Sequence, residues 1–125
     1  MIYDETNIFD HIAGPFVLII GGYSTSSGSY QSVGQIVNLA SSNICPNYTP
    51  YPLTMRYGAG GLVNNSLVLC GGYVTSALSP TSNCYKYDTE NGNWIFLANL
   101  ATARQQHASA LLPDGSIWIT GKHYI

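Results

Sequence analysis

Side chains that could carry acid–base, nucleophilic or metal chemistry are few in this 125-residue sequence, and they are scattered along it. Only 8% of the residues are charged, and the three histidines show none of the short spacings that bind zinc. The carboxylates form no acid–base pair, and neither a phosphate-binding loop nor a nucleophile elbow is present. We therefore predict no catalytic residue, no cofactor and no metal site. The groups considered are His11, His107, His123, Asp4, Glu5, Asp10, Asp88, Glu90 and Asp114.

Two of the histidines have predicted structural positions. His107 lies near the start of a predicted strand, where we expect a buried imidazole that makes a hydrogen bond rather than a metal ligand. His123 aligns with Tyr23 and Tyr73, which each follow a glycine doublet, so we expect His123 in a loop.

The cysteine pair Cys70 and Cys84 is a candidate disulfide. Cys70 ends one predicted strand and Cys84 opens the next, and opposed Cβ atoms of antiparallel strands lie about 4.5–5.5 Å apart, close to what a disulfide needs. A bridge closing the loop 71–83 would contribute about 3 kcal/mol. Two buried free thiols fit the sequence equally well, and both alternatives stay open here. Cys45 has no counterpart and is expected to be free or paired outside this sequence.

Two N-glycosylation sequons are present, Asn47-Tyr48-Thr49 and Asn64-Asn65-Ser66. Together with the cysteine pair they favour an extracellular parent protein. The first residues, Met1 to Ile8, lack the basic start and apolar run of a signal peptide. We therefore leave the location open: extracellular if the natural N-terminus lies upstream, and otherwise cytoplasmic.

Composition narrows the class of protein and the class of partner. The chain is 46% hydrophobic, with 13 glycines and 10 tyrosines, which favours strands and tight turns over exposed helices. The net charge is −2 and the four cations are scattered, so we expect no nucleic-acid partner. No apolar run approaches the roughly 20 residues of a membrane helix, so we expect no membrane partner.

An internal repeat organises the sequence. The segment from Phe16 through the doublet Gly21-Gly22 aligns without gaps on the segment from Ser66 through Gly71-Gly72. Each copy is an apolar strand followed by Gly-Gly-Tyr, and a weaker third copy ends at Gly121. Repeats at a fixed period of this size indicate stacked supersecondary units.

The repeat unit reads as four short strands. Strands one and two are joined by a tight turn, at Asn64-Asn65 in one unit and at Pro113-Asp114-Gly115 in the next. Strand three carries Tyr87, and strand four begins at Trp94, seven positions later. We expect these two aromatic side chains to pack in the core between units rather than to stack on a ligand.

This unit, with Gly71-Gly72, Tyr87 and Trp94, resembles the kelch repeat, which forms one blade of a β-propeller. The resemblance implies an all-β fold, a partial kelch-type propeller of about two and a half four-stranded antiparallel blades that is not closed. The predicted divisions are an irregular segment 1–15, blade 1 without its first strand 16–53, a complete blade 2 at 54–103, and the first two strands of blade 3 at 104–125. Since closed propellers have typically about 4–8 blades, we expect further blades in a longer parent chain.

The resemblance implies a non-enzymatic protein-binding module that uses the loops between blades and the loops joining strands two and three, with a glycan as the other candidate ligand. The alternative for each arginine is a hydrogen bond to loop carbonyls between blades. One rival is a fragment of a secreted enzyme resembling galactose oxidase, whose copper site uses Tyr, His and a Tyr–Cys crosslink; no residue set here matches it. Another is a truncated gene product without independent function. The predicted binding residues are Tyr23, Arg56, Tyr57, Tyr73, Arg104 and Gln105.

Overall fold

The computed structural model describes residues 16–20, 23–32, 34–38, 47–64, 66–88 and 90–123. Fourteen β-strands, all paired antiparallel, are defined within these ranges. Gly21, Gly22 and Cys45 lie outside the described residues, so the predictions made for them are not addressed by the structure.

Blade 1 is a three-stranded sheet within the described part of the chain. Its strands are β1 (Phe16–Ile20), β4 (Gly34–Asn38) and β5 (Asn47–Tyr48), in that order. The loop between β1 and β4 contains a small hairpin of β2 (Tyr23–Ser24) and β3 (Ser29–Tyr30). The sequence-predicted strands two and three of this blade are confirmed by β1 and β4.

Blade 2 is a four-stranded antiparallel sheet, as the sequence predicts. Its strands are β7 (Ala59–Val63), β8 (Ser66–Cys70), β11 (Asn83–Asp88) and β12 (Asn93–Asn99), and the order across the sheet is β12-β11-β8-β7. Asn64, in the turn joining β7 and β8, has the left-handed φ of 47° that such a turn needs.

A second, smaller sheet lies at one end of blade 2. The two-residue strand β6 (Met55–Arg56) pairs with β9 (Tyr73–Val74), which pairs with β10 (Ser79–Pro80). The linker that precedes blade 2 is thereby paired with the loop between β8 and β11. This small sheet fixes the positions of Arg56 and Tyr73, two of the predicted binding residues.

Blade 3 is described as the two-stranded sheet of β13 (Arg104–Leu111) and β14 (Ile117–His123). The prediction that His123 lies in a loop is wrong, because β14 runs through Gly121 and pairs His123 with Arg104. The ladder is irregular between Arg104 and His107, where β13 has one more residue than β14. Such a bulge lets the two strands pair again beyond it, so β14 continues as far as His123.

The antiparallel topology gives the blades two distinct edges. The loop edge consists of the β2–β3 hairpin, the small sheet of β6, β9 and β10, the linker 100–103 and the start of β13. The hairpin edge consists of the turns between β7 and β8, between β11 and β12, and between β13 and β14. A five-residue strand such as β7 separates these edges by roughly 17 Å.

The main core lies where blade 2 meets the end of blade 1. Tyr87 and Trp94 are directly opposed on β11 and β12, and both are buried, as predicted. The indole Nε1 of Trp94 donates to the Thr49 carbonyl at 3.2 Å, just beyond the last strand of blade 1. Tyr51 packs edge-on against Trp94, with ring centroids 5.0 Å apart, and burial raises the pKa of its phenol. Met55, Leu62 and Leu67 complete this core.

A second apolar cluster joins blade 2 to blade 3. Val68, Cys70 and Cys84 are buried, and Ile119 of β14 packs against them. On the other face of β14, which points away from blade 2, Trp118 is 65% exposed. Leu111 is 54% exposed and is paired with Ile117, on the face that points toward blade 2.

Candidate functional site

The small sheet at the loop edge places Arg56 opposite Tyr73. These two residues are paired between β6 and β9, while the preceding Met55 is buried. The chain can enter this sheet because Gly72, just before β9, has φ +104°, and a Cβ there would lie 3.0 Å from the Arg56 carbonyl oxygen. The predicted glycine doublet thus shapes the loop edge directly.

The Arg56 guanidinium is surrounded by three tyrosine rings. Its Cζ lies 4.9 Å from the ring centroid of Tyr30, 4.8 Å from that of Tyr57 and 5.0 Å from that of Tyr73. Nη1 also donates to the Tyr30 hydroxyl at 2.7 Å. Each such cation–π contact is worth about 0.5–2 kcal/mol, so Arg56 fixes the two neighbouring loops against each other.

Tyr30 was not among the predicted binding residues. It belongs to the loop of blade 1, whereas Tyr73 belongs to the corresponding loop of blade 2, so Arg56 links two blades through side chains rather than through loop carbonyls. Repeat comparison gives no signal for Tyr30, because the corresponding residue of the next unit is Pro80. The Nε atom of Arg56 is buried with no hydrogen-bond partner among the described residues.

The loop edge holds several residues in the left-handed region of backbone conformation. Tyr57 has φ 62°, Leu78 φ 52° and Gln106 φ 53°. Asn64 is the remaining non-glycine residue with positive φ in the described part of the chain, and it is a residue type that tolerates this conformation. Left-handed φ costs an ordinary L-residue about 1–2 kcal/mol, so backbone strain is concentrated at the loop edge.

Leu78 is the most exposed of the large apolar residues described. Its exposed fraction is 75%, and it ends the turn between β9 and β10. In the corresponding turn of blade 1 the same position is Gly28, with φ 64°. Blade 2 therefore carries a strained, solvent-exposed leucine where blade 1 carries the residue that suits the backbone. Sequence reasoning did not single out Leu78, although the alignment with Gly28 was the available signal.

The other predicted binding residues differ in their surroundings. Tyr57 is 46% exposed, and Gln105 is only 7% exposed, so Gln105 offers little surface to a partner. Arg104 makes long hydrogen bonds to the carbonyl of Thr102, in the linker before blade 3, at 3.5 Å and to that of Gly121, in β14 of its own blade, at 3.4 Å. Tyr23 lies in β2, and its side chain is not described.

The doublet Gly71-Gly72 also forms the joint between blades 2 and 3. Gly71 has φ +66°, and a Cβ there would meet His107 Cε1 at 2.6 Å and the Arg104 carbonyl oxygen at 2.8 Å. The amide of Gly72 donates to that same Arg104 carbonyl at 2.8 Å. Any side chain at position 71 would therefore separate the blades.

His107 crosses the same joint, as predicted for a hydrogen-bonded imidazole. Its Nε2 donates to the Cys70 carbonyl at 2.9 Å, while its buried Nδ1 has no partner among the described residues. Burial lowers the pKa of His107 below its usual value, and nearby Arg104 acts in the same direction. The neutral ring is thus the form that holds the two blades together.

Cys70 and Cys84 form a disulfide, which settles the alternative left open by the sequence. The two residues are directly opposed on β8 and β11, with Cα atoms 4.1 Å apart. Both are buried, at 2% and 5% exposure. The bridge closes the loop 71–83, which carries Tyr73 and Leu78, and so restricts the conformations that this loop can adopt.

Charge is distributed unevenly between the two edges. Three of the four described cations, Arg56, Arg104 and Lys122, lie at or near the loop edge, and the fourth, Lys86, lies in β11. The described carboxylates, Asp88, Glu90 and Asp114, lie at the hairpin edge. A hydrogen bond from the Asn91 side chain lowers the pKa of Asp88, and one from the Ser116 side chain lowers that of Asp114. The hydrogen bonds that Asp88 and Asp114 accept stabilise their turns.

Comparison with known proteins identifies the repeat. Residues 55–101 match the family model described as the Kelch motif. In fold, 112 chains of known structure match this one, so the architecture is shared too widely to specify a function. One is the kelch-type propeller protein whose structure is titled "Structure of YjhT": the TM-score is 0.67, the identity is 14%, and the match covers 88% of this chain and 31% of that one. No curated protein matches the sequence.

Residues 55–101 are therefore a kelch repeat, and the chain folds as part of a kelch-type β-propeller, confirming the predicted fold class. The chain spans less than a third of the YjhT structure that it matches. In the described ranges no three His, Cys, Asp or Glu side chains come together as a metal site. Those ranges also contain no helix long and apolar enough to cross a membrane.

Proposed function

We propose that this kelch segment is a non-enzymatic binding module that recognises a protein partner through its loop edge. The observation that carries the proposal is Leu78, which is 75% exposed and held at φ 52°. A leucine there contributes little to folding, since it buries little surface and strains the backbone. Burying it against a partner would contribute about 1.5–3 kcal/mol, a typical share for an interface anchor.

Tyr57 and the Arg56 cluster extend this surface. Tyr57 is 46% exposed and its ring contacts the Arg56 guanidinium at 4.8 Å. Tyrosine and arginine are enriched at the centres of protein interfaces. Because Arg56 already fixes the rings of Tyr30 and Tyr73, binding would cost less side-chain entropy than it would for free loops.

The sign of charge at the loop edge favours a partner surface that carries carboxylates. Arg104 and Lys122 lie at the same edge as the Arg56 cluster, while the described carboxylates lie at the opposite edge. Attraction of this kind raises the association rate more than the final affinity and weakens with added salt. We therefore propose an acidic protein surface as the partner, with the remaining blades of a longer propeller supplying neighbouring loops.

The test is a capture experiment with matched variants. The immobilised chain is incubated with protein extracts, and Tyr57→Ala and Leu78→Ala are compared with Phe96→Ala, an exposed aromatic residue on β12 away from the loop edge. We expect both loop-edge variants to lower the amount of specifically captured protein at least tenfold, and Phe96→Ala to leave it unchanged. Equal loss in all three variants, or loss only in Phe96→Ala, would contradict the proposal.

Three further outcomes identify the alternatives. Binding to a glycan array that depends on Tyr57 and Tyr73 would replace the protein partner with a carbohydrate. Stoichiometric binding of Cu²⁺ by the chain, measured by calorimetry, would favour the rival that resembles galactose oxidase. Absence of any specifically captured protein would favour a truncated product without independent function, and capture that no loop-edge variant changes would contradict the proposal.

A further inference from the structure

The sequon Asn64-Asn65-Ser66 lies outside the proposed binding surface. Asn64 lies in the turn between β7 and β8, at the hairpin edge, and is exposed. Its φ of 47° places it in the turn rather than in the sheet ladder, and its Oδ1 faces the turn between β13 and β14, where a Cβ at Gly115 would lie 3.0 Å away. A hairpin turn of this kind is where a bulky surface modification is best tolerated.

A second, independent feature of the same blade indicates the compartment. The buried disulfide between Cys70 and Cys84 forms and persists where thiols are oxidised. In eukaryotic cells the oxidising endoplasmic reticulum is also where oligosaccharide is transferred to sequon asparagines. The blade thus carries both a disulfide and an accessible acceptor within one stretch of chain.

We propose that Asn64 is an N-glycan attachment site. In the transfer, the amide nitrogen of Asn64 forms a bond to the anomeric carbon of a lipid-pyrophosphate-linked oligosaccharide. The carbon–oxygen bond to the pyrophosphate breaks, the amide nitrogen loses one proton, and the lipid pyrophosphate leaves with the bonding electrons. The Ser66 hydroxyl supplies the third position that the sequon requires.

Asn64 lies at the opposite edge of the blade from the proposed binding residues. The five residues of β7 separate Asn64 from the loop edge by roughly 17 Å. The glycan therefore projects from the edge that carries Asp88 and Asp114 and leaves Tyr57 and Leu78 uncovered. The other sequon differs, because Thr49 donates its hydroxyl to the Gly92 carbonyl at 2.9 Å in the interior contact between blades 1 and 2.

A single tryptic peptide reports both the modification of Asn64 and the oxidation state of Cys70 and Cys84. Cleavage after Arg56 and after Lys86 releases residues 57–86, which contain Asn64, Cys70 and Cys84. The chain is directed into the secretory pathway of insect cells, and the peptide is recovered from the translocated material whether or not the chain leaves the cell. Mass spectrometry then reads glycan occupancy and the reactivity of the cysteines before and after reduction.

We expect the peptide to carry an N-glycan on most molecules, and peptide N-glycosidase to remove it from the folded protein with conversion of Asn64 to aspartate. Asn64→Gln and Ser66→Ala abolish the modification, while Asn65→Gln, which keeps the sequon, and Asn47→Gln retain it. An oxidised but unglycosylated peptide overturns the proposal. So does a glycan that persists in Asn64→Gln, or one that the glycosidase reaches only after denaturation.

Discussion

Gly28 and Leu78 occupy the same position in the loops of two successive blades, and both have left-handed φ values, 64° and 52°. Glycine adopts this conformation freely, whereas leucine does so at a cost of about 1–2 kcal/mol. A Cβ at Gly28 would meet no atom within 4 Å, so backbone conformation rather than space distinguishes the two residues there. The blade 2 loop therefore keeps an exposed leucine at the expense of stability.

Leu78→Gly is expected to stabilise the fold by about 0.5–1 kcal/mol, because relief of the left-handed strain outweighs the added entropy of the unfolded chain. Leu78→Ala keeps the strain and removes the exposed side chain, so we expect it to change stability by less than about 0.5 kcal/mol. Urea unfolding followed by tryptophan fluorescence measures both. A Leu78→Gly variant that is less stable than the parent would show that the leucine contributes to folding.

Gly71→Ala is expected to destabilise the chain by about 2 kcal/mol or more, since the new Cβ combines left-handed strain with contacts at 2.6 Å to His107 and 2.8 Å to the Arg104 carbonyl. Gly28→Ala is the matched control, with similar φ and no neighbouring atoms. Its smaller loss, about 1 kcal/mol or less, isolates the backbone cost. Equal losses in the two variants would mean that the blades do not meet at Gly71.

Removal of the disulfide by the double substitution Cys70→Ala, Cys84→Ala is expected to cost about 3 kcal/mol, the chain-entropy value for a loop of this length. The same loss should follow from adding a reductant to the parent protein, and the double variant should not respond to the reductant. Chemical unfolding with and without reductant makes the comparison. A parent protein that unfolds identically under both conditions would contradict a disulfide between these residues.

Acidification is expected to weaken the joint between blades 2 and 3 through His107. Burial lowers the pKa of His107 in the folded state, so the unfolded chain binds the proton more readily. The stability contributed by the neutral ring is complete above the usual histidine pKa of about 6.5 and declines as pH falls below it, toward the lowered folded value. Unfolding measured from pH 8 to pH 5 tests this dependence.

His107→Gln is the control for that measurement, because its amide can still donate to the Cys70 carbonyl but does not titrate. The pH dependence of the parent should exceed that of the variant between pH 6.5 and 5. Identical profiles would assign the acid sensitivity to other groups.

Arg56→Lys is expected to cost about 1–2 kcal/mol, because an ammonium cannot stack on three rings while also donating to the Tyr30 hydroxyl. Arg104→Lys, where the hydrogen bonds are 3.4 and 3.5 Å long, should change stability by less than about 0.5 kcal/mol. Thermal unfolding of the two variants measures both losses of stability. A larger loss in Arg104→Lys than in Arg56→Lys would show that the Arg56 cluster does not hold the two loops together.

The blade was readable from the sequence because its residues repeat. The apolar strand before Gly71-Gly72 recurs at a fixed interval, and Tyr87 and Trp94 occur once, at the places where a kelch repeat packs aromatic side chains between blades. The hydrogen-bonded His107 could be expected from its place near the start of an inner strand. The disulfide could only be offered as one of two alternatives, since opposed cysteines are equally compatible with free thiols.

The arginine cluster could not be read from the repeat. Tyr30 contacts Arg56 across 26 residues of sequence, and the next unit has Pro80 in its place, so periodicity carries no signal. His123 was misassigned because the ladder of β13 and β14 contains a bulge, which lets β14 continue past Gly121. Such features arise from the local path of the backbone rather than from the pattern of apolar residues.

Site-specific photo-cross-linking tests the proposed loop-edge interface most directly. A photoreactive phenylalanine analogue replaces Leu78 in one protein and Glu90, at the hairpin edge, in another, and each is irradiated in the same native extract. We predict discrete protein adducts from position 78 that excess unlabelled parent protein suppresses, and no such adducts from position 90. Adducts from position 90 alone, or equal labelling from both positions, would contradict recognition through the loop edge.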